Sequence, residues 1–225
     1  LRPMKQTPIH DKYNPDLLAL MPAGASRVVE VGCSSGALAK AYLANNPSSE
    51  YVGIEIDPAY AEVARASCTR VVVDDIERMS DAVFASLSPA ACWVFGDVLE
   101  HMHDPWALLR RVRSALPGGA SVVACIPNAQ HWSVQARLNC GQFRYEDSGL
   151  LDRTHLRWFT KATIIELFES SGFRVVDGLA RILVEPEREK ALAGIRALAE
   201  ATGANAEDAV KNAIPIQWVV RASAS

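Results

Sequence analysis

The sequence lacks several features that would assign it to whole classes of protein. Its five cysteines form no C-x-x-C pair and their number is odd, so neither a zinc site nor a redox dithiol is expected. No apolar run approaches the roughly 18 residues of a membrane span, and no signal-peptide pattern opens the chain. The net charge of −3 predicts no general affinity for nucleic acid or an anionic membrane. We therefore expect a cytoplasmic protein without a metal, a membrane span or a nucleic-acid partner.

What the 225 residues do contain is enough apolar material for one large core, since apolar residues make up 49% and charged residues 22%. Short apolar strand-like runs alternate with helical stretches, which predicts an α/β fold with a mainly parallel sheet covered by helices on both faces. The predicted strands are residues 27–31, 51–56, 70–73, 92–95, 120–126, 173–184 and 215–222. We expect one domain over residues 1–225, divided into an N-terminal lid segment (1–22), a core (23–184), and a helical insertion with the last strand (185–225).

The most informative stretch is the end of the first predicted strand. Glu30 is followed by Gly32 and Gly36, and a helical pattern begins directly afterwards. Glycines allow a tight turn with positive φ or a close approach of the backbone, and the helix that follows directs unpaired N–H groups over the turn. An acid at Glu30 suits a ligand with positive charge, and Glu55 at the end of the second strand suits a ribose diol. The stretch predicts a nucleotide-type binding loop.

These motifs together resemble the class I methyltransferases that use S-adenosylmethionine, in the broad group that includes the ubiquinone-pathway O-methyltransferases. The resemblance covers about residues 13–184, and it implies a Rossmann-like sheet of seven strands whose last strand is antiparallel beside strand six. Ser34 stands where the family often has a further glycine. The resemblance rests on Glu30-x-Gly32-x-x-x-Gly36, Glu55, Asp75-Ile76, and Val98-Leu99-Glu100-His101 followed by Asp104-Pro105. A second stretch, 149–160, is similar to one in bacterial methyltransferases associated with glycan or cell-envelope biosynthesis.

The resemblance also implies how S-adenosylmethionine, and S-adenosylhomocysteine as product, would bind. The methionine part would lie over the glycine loop, Glu55 would take the ribose hydroxyls, and Ile56 would pack on the adenine. Gly96 and Asp97 would lie beneath the sulfonium end, and Tyr13 would belong to a lid. The implied cofactor-binding residues are Tyr13, Glu30, Gly32, Cys33, Ser34, Gly36, Glu55, Ile56, Asp75, Ile76, Gly96, Asp97 and His101.

A hydroxyl acceptor has to lose a proton, and histidine is suited to take it near neutral pH. The candidate bases are His131 and His155, with Asp152 as an orienting partner of His155; a structural hydrogen-bonding role is the alternative for each histidine. The loop that contains them is rich in cations, which favours either an anionic acceptor, such as a phosphorylated or nucleotide-linked sugar, or simply a solvated loop. The cations are Arg137, Arg144, Arg153, Arg157 and Lys161.

The leading hypothesis is methyl transfer to an oxygen of a small molecule or glycan, by a monomer or homodimer. Oxygen is preferred because a candidate base is present and no Asn-Pro-Pro-Tyr run follows the fourth strand. One alternative is a non-catalytic cofactor-binding module of a larger envelope-biosynthesis protein. The other is a nicotinamide-dependent dehydrogenase, against which the missing G-x-G-x-x-G fingerprint argues.

Overall fold

The computed structural model describes residues 11–224, and its centre is a single seven-stranded sheet in the order β3-β2-β1-β4-β5-β7-β6. Strands β1 to β5 pair in parallel, whereas β7 runs antiparallel to both β5 and β6. The strands are β1 (Arg27–Val31), β2 (Glu50–Glu55), β3 (Arg70–Val73), β4 (Cys92–Gly96), β5 (Ser121–Pro127), β6 (Phe173–Arg181) and β7 (Gln217–Ala224). The predicted fold class, including the antiparallel last strand, is confirmed.

Several helices that connect the strands begin with an acid or amide followed by proline. The side chains of Asn14, Asp57 and Asp104 each accept a hydrogen bond from a main-chain N–H of the first turn, and proline, which needs no N–H donor there, follows each of them. The helices are α1 (Pro15–Leu20), α2 (Ala37–Asn45), α3 (Pro58–Ala64), α4 (Asp81–Ala85), α5 (Pro105–Ala115), α6 (Trp132–Asn139), α7 (Lys161–Ser170), α8 (Arg188–Ala201) and α9 (Ala206–Ala213), with a 3₁₀ turn at Leu99–His101.

Both faces of the sheet are packed, because successive side chains of a strand point to opposite sides. One apolar cluster contains Val29 and Val31 with α5 and α7, and the other contains Val28 with α1 and α2. Within residues 11–224, every helix is too short or too polar to cross a membrane.

The sixth strand is shorter than predicted, since it ends at Arg181 and not at residue 184. Its last ladder bond is the one that the N–H of Ile216 donates to the carbonyl of Arg181 at 2.9 Å. The partner strand β7 begins at Gln217, so β6 has no further strand residue to pair with beyond this point.

Helices α8 and α9 form the insertion between β6 and β7. Its return to the sheet is held by the buried side-chain amide of Asn128, which donates to the carbonyls of Asn212 and Pro215 at 2.8 Å each. Of the expected lid segment, residues 1–10 lie outside the described part of the chain, and α1 packs on the sheet. The assignment of residues 1–225 to one domain stays a prediction.

Candidate functional site

The strand order reverses between β1 and β4, so their carboxyl ends open a crevice of the kind in which α/β sheets bind ligands. Two loops meet there. A Cβ atom added to Gly32, in the loop after β1, would lie 2.7 Å from Cγ2 of Val98, in the loop after β4. That contact is far too short, so the glycine lets the two loops close on each other.

Three residues of the loop after β1 have a left-handed backbone conformation. Gly32, Ser34 and Gly36 have φ values of 70°, 48° and 77°. The N–H of Gly32 donates to the carbonyl of Ile54 at 2.8 Å, which ties the loop to β2. Ser34 adopts a conformation that glycine takes without strain, which accounts physically for glycine as the alternative at this position.

Glu55, the last residue of β2, connects the loop after β1 with the loop after β2. It is 4% exposed, and its Oε2 accepts a hydrogen bond from the N–H of Ser34 at 2.8 Å. Its Oε1 accepts from the N–H of Asp57 at 3.0 Å. Each carboxylate oxygen has two lone pairs, so both retain acceptor capacity for a diol. Ile56, next to it, is 51% exposed and offers an apolar surface beside the carboxylate.

Glu30 and Cys33 lie deeper than the other loop residues. Glu30 is buried and accepts a hydrogen bond from the Tyr51 hydroxyl at 2.9 Å. Burial raises the pKa of the Glu30 carboxyl well above its usual range. The side chain of Cys33 packs beside that of Cys68 beneath Gly53, so only its main chain faces the loop.

Asp75 and Ile76, which follow β3, differ in exposure. Asp75 is half-buried, and its Oδ1 accepts from the N–H of Glu77 at 3.0 Å, as in a turn cap. The side chain of Ile76 is buried in the core, so a contact to a ligand would come from its main chain. Tyr13, just before α1, is 43% exposed.

Gly96 and Asp97 follow β4 on the other side of the crevice. A Cβ at Gly96 would lie 2.9 Å from Cδ1 of Leu17, so this glycine makes room for α1. Asp97 has a positive φ of 55°, and its Oδ1 accepts a hydrogen bond from the side-chain amide of Gln217 on β7. Burial raises the pKa of Asp97 to about 6. No local pattern indicates that Gln217 lies here, because it comes from the far end of the chain.

Beyond Asp97 the structure brings together three side chains from two loops: Glu100, His101 and His155. Their nearest donor or acceptor atoms all lie within 4.8 Å of one another. The rings of the two histidines meet edge to face with centroids 4.9 Å apart, and Nδ1 of His101 lies 3.1 Å from the carbonyl oxygen of Thr154. Burial lowers the pKa of both histidines. Glu100 was not among the residues assigned to the site from the sequence, although it lies in the Val98–His101 motif.

Asp152, expected to orient His155, accepts its hydrogen bonds from Thr154, in the turn that precedes His155. Its Oδ1 accepts from both the N–H and the hydroxyl of Thr154 at 2.7 Å. Although burial opposes it, these bonds lower the pKa of Asp152. The group that faces Nε2 of His155 is the Glu100 carboxyl, at 4.0 Å.

His131 belongs to a different cluster. It caps α6, with Nδ1 2.8 Å from the Ser133 hydroxyl, and it is 1% exposed. Its Nε2 lies 3.2 Å from Oε2 of Glu185, which also accepts from the indole N–H of Trp132 at 2.7 Å. The three side chains fasten the insertion to α6, a contact between distant segments that the sequence does not signal.

Aromatic rings lie beside His155. Trp158 lies 6.4 Å from His155, and Phe143 and Tyr145 lie 6.0 and 6.1 Å from Trp158, measured between ring centroids. A cavity of about 440 Å³ lies against α7, lined by Trp158 together with Trp106, Arg157, Thr163 and Glu166 among others, and none of the strand-end acids reaches it.

Comparison with known proteins gives a consistent result for the fold. A family model described as a methyltransferase domain matches residues 9–177. No curated protein matches the sequence.

Among solved structures, the mitomycin 7-O-methyltransferase MmcR is 16% identical with a TM-score of 0.58, over 93% of this chain and 52% of that one. An O-methyltransferase from neocarzinostatin biosynthesis, in complex with S-adenosylmethionine and a naphthoic acid, is 17% identical with a TM-score of 0.54, over 93% and 50% of the two chains. A possible histamine N-methyltransferase from Thermotoga maritima is 15% identical with a TM-score of 0.60, over 93% and 86%. The chain thus spans about half the length of the first two proteins, and likeness at these identities shows a shared fold.

Proposed function

We propose, from the premise that this chain belongs to the methyltransferase-domain family, that it transfers the methyl group of S-adenosylmethionine to an oxygen of a small-molecule acceptor. The observation that supports this most directly is the bond between Glu55 and the N–H of Ser34 at the reversal point of the sheet. This bond fixes the Glu55 carboxylate, which still has lone pairs free to accept hydrogen bonds, beside a loop whose glycines let a ligand approach the main chain. S-adenosylhomocysteine is then the second product.

The residues present fit this cofactor. A Cβ at position 32 would fill the gap between the loops after β1 and β4, and glycine leaves it open. Glu55 would hold the ribose diol, Ile56 would pack on the adenine, and the main chain around Gly32 and Ser34 would hold the methionine part. The buried Glu30 lies behind that loop, where a cationic ligand would favour its ionised form.

The bound cofactor supplies a methyl group already activated by a positive sulfur. The protein therefore has to hold the acceptor oxygen in line with that methyl group, exclude water and accept one proton. Positioning of this kind accounts for a large share of the rate in such displacements. Asp97, after β4, and the Glu100–His155 cluster next to it are the ionisable groups on the acceptor side.

The acceptor site favours a ligand with a flat or apolar face, either a phenol-like ring or one face of a sugar. Phe143, Tyr145 and Trp158 form an aromatic surface beside His155. The loop cations argue less for an anionic acceptor, because Arg137 and Arg153 form ion pairs with Glu146 and Asp147 at 2.5 and 2.7 Å. A glycan acceptor and a monomeric or dimeric state stay predictions.

Thermal shift of the full chain with S-adenosylhomocysteine, and with NAD as the matched control, tests the cofactor. We expect stabilisation by the former alone, since each tenfold excess over Kd adds about 1.4 kcal/mol to the free energy of unfolding. A shift with NAD alone, or with neither, would contradict the proposal.

The acceptor is tested with methyl-labelled cofactor and a panel of phenols, hydroxylated sugars and their amine analogues. Label in the hydroxyl compounds supports oxygen transfer. Label confined to amines would replace it with nitrogen transfer, and binding of cofactor without transfer to any compound would favour a non-catalytic module.

A further inference from the structure

The carboxyl group of Glu100 is buried without a hydrogen-bond partner. The residue is 1% exposed, and neither Oε1 nor Oε2 has a partner among the described residues. Its main chain is fixed, since its carbonyl accepts from the N–H groups of Leu156 and Arg157 at 2.8 and 3.0 Å. An isolated ionised carboxylate in such surroundings is very costly, so the group has to be neutral or share its charge with a neighbour.

The neighbour is His155, whose orientation is fixed from the other side. Nδ1 of His155 lies 3.3 Å from the carbonyl oxygen of Leu150, so this nitrogen carries the hydrogen. Nε2 is therefore the lone-pair nitrogen, and it faces Oε1 of Glu100 at 4.0 Å. A protonated Glu100 can donate to that lone pair after a small side-chain movement.

The surrounding charges favour one shared proton. Burial, and then the nearby Asp97, raises the pKa of Glu100, and burial followed by His101 lowers the pKa of His155. With both groups neutral, the pair holds a single proton. The titratable groups that face the pair are Asp97 after β4, Cys125 on β5, His101 in the 3₁₀ turn, and Asp152 in the opposite loop.

We propose that Glu100 and His155 share one proton and act together as the group that receives the proton of the acceptor hydroxyl. This inference rests on the proposed methyltransferase function. The shared proton moves to Nε2 of His155, and the proton of the acceptor oxygen passes to the buried Glu100 carboxylate through His101, the half-buried member of the cluster. That oxygen forms the new bond to the methyl carbon, and the electron pair of the broken carbon–sulfur bond stays on sulfur.

The charge balance supports this arrangement. The sulfonium loses its positive charge in the step, and the pair gains one as it goes from one proton to two. Positive charge thus moves within the site, and no net charge is created in a poorly solvated region. After the product leaves, the half-buried His101 offers a way for the extra proton to reach solvent.

Proton sharing is tested by NMR titration of protein labelled at its five histidines, with the His155 signal assigned from His155→Gln. Coupled groups titrate in two macroscopic steps. We expect two steps for His155 in the wild type and a single step in Glu100→Gln. A single step at one pKa in the wild type would overturn the inference even if no variant folded.

Turnover provides the second readout. Glu100→Gln should lower turnover about 100-fold at neutral pH and remove the acidic limb of its pH profile, because general-base groups contribute 10²–10⁴-fold. Affinity for S-adenosylhomocysteine should change less than about twofold, since the cofactor contacts lie elsewhere. The matched control is Glu62→Gln, a side chain 78% exposed on α3, which should leave both unchanged.

The outcomes separate the two proposals. A wild-type chain that binds cofactor but methylates nothing would refute the function and leave the titration as the test of proton sharing. Normal turnover and an unchanged pH profile in Glu100→Gln would refute the role of the pair. Loss of activity in EDTA that returns with Mg²⁺ would also refute it, because the cluster would then hold a cation in place of the proton.

Discussion

The contact between the loops after β1 and β4 can be tested with two glycine-to-alanine variants. Gly32 and Gly24 have nearly the same positive φ, 70° and 67°, yet a Cβ at Gly32 would lie 2.7 Å from Val98 whereas a Cβ at Gly24 has no atom within 4 Å. Alanine in the left-handed region costs roughly 1–2 kcal/mol at either position. Overpacking against a β-branched side chain adds about 1–3 kcal/mol at position 32 alone, because valine has little rotamer freedom.

We therefore expect Gly32→Ala to lower the free energy of unfolding by about 1–3 kcal/mol more than Gly24→Ala does. Urea unfolding measures this difference, which corresponds to roughly 2–4 °C in Tm for each kcal/mol in a chain of this size. The Gly32→Ala loop has to move away from Val98, so its Kd for S-adenosylhomocysteine should rise at least about tenfold, or 1.4 kcal/mol. Gly24→Ala should bind like the wild type.

Two results would contradict these expectations. If both variants lost the same stability, the added methyl group at position 32 would have found space, and the loops would not be closed on each other as described. If Gly32→Ala lost stability but bound the cofactor normally, the loop would be structural and the cofactor site would lie elsewhere.

Three further variants test other parts of the site. Glu55→Gln exchanges the charged acceptor of the Ser34 N–H for an amide, and calorimetry with S-adenosylhomocysteine should show a Kd about 10–100-fold higher; an unchanged Kd would remove Glu55 from the ribose site. Glu30→Gln should stabilise the free protein more at pH 8 than at pH 5. The raised pKa of Glu30 means that the folded state holds the proton to higher pH than the unfolded state, so the stability of the wild type falls as the pH rises from the unfolded pKa of about 4.5 towards the folded pKa. Equal effects of the substitution in urea unfolding at the two pH values would contradict this. Glu185→Ala leaves the indole N–H of Trp132 without its acceptor and should cost about 1–3 kcal/mol in the same assay, whereas unchanged stability would show that this contact does not hold the insertion.

The parts of the fold that depend on local signals could be predicted from the sequence. The strands β1 to β4 are short β-branched or aromatic runs, and their bounds differ from the predicted ones by a residue at most. Cap-and-proline pairs such as Asn14-Pro15 and Asp104-Pro105 mark helix starts, because the side chain and the missing N–H satisfy the first turn locally. The end of β6 was predicted wrongly, because it depends on where the partner strand β7 begins, far away in the chain.

The same distinction between local signals and long-range contacts applies to the candidate site. Residues that close parallel strands, such as Glu55 and Asp97, meet at one edge of the sheet by topology alone, so they could be named in advance. The partner of His155 could not, since Asp152 is the nearer acid in sequence while the long-range packing of two loops places Glu100 against the ring. Sequence proximity predicts turn hydrogen bonds well and tertiary pairs of buried polar groups poorly.

One short segment, Val98–His101, connects the two halves of the site. Val98 limits how far the loop with Gly32 can move, and two residues later Glu100 holds the main chain of the opposite loop through Leu156 and Arg157. The 3₁₀ turn Leu99–His101 follows Val98 directly and contains Glu100, so we expect a displacement at Val98 to move the carboxyl of Glu100 as well. We therefore expect a forced shift of the loop at Gly32 to reach Glu100. For that reason Gly32→Ala should alter the His155 titration, although no atom of Gly32 contacts either member of the pair.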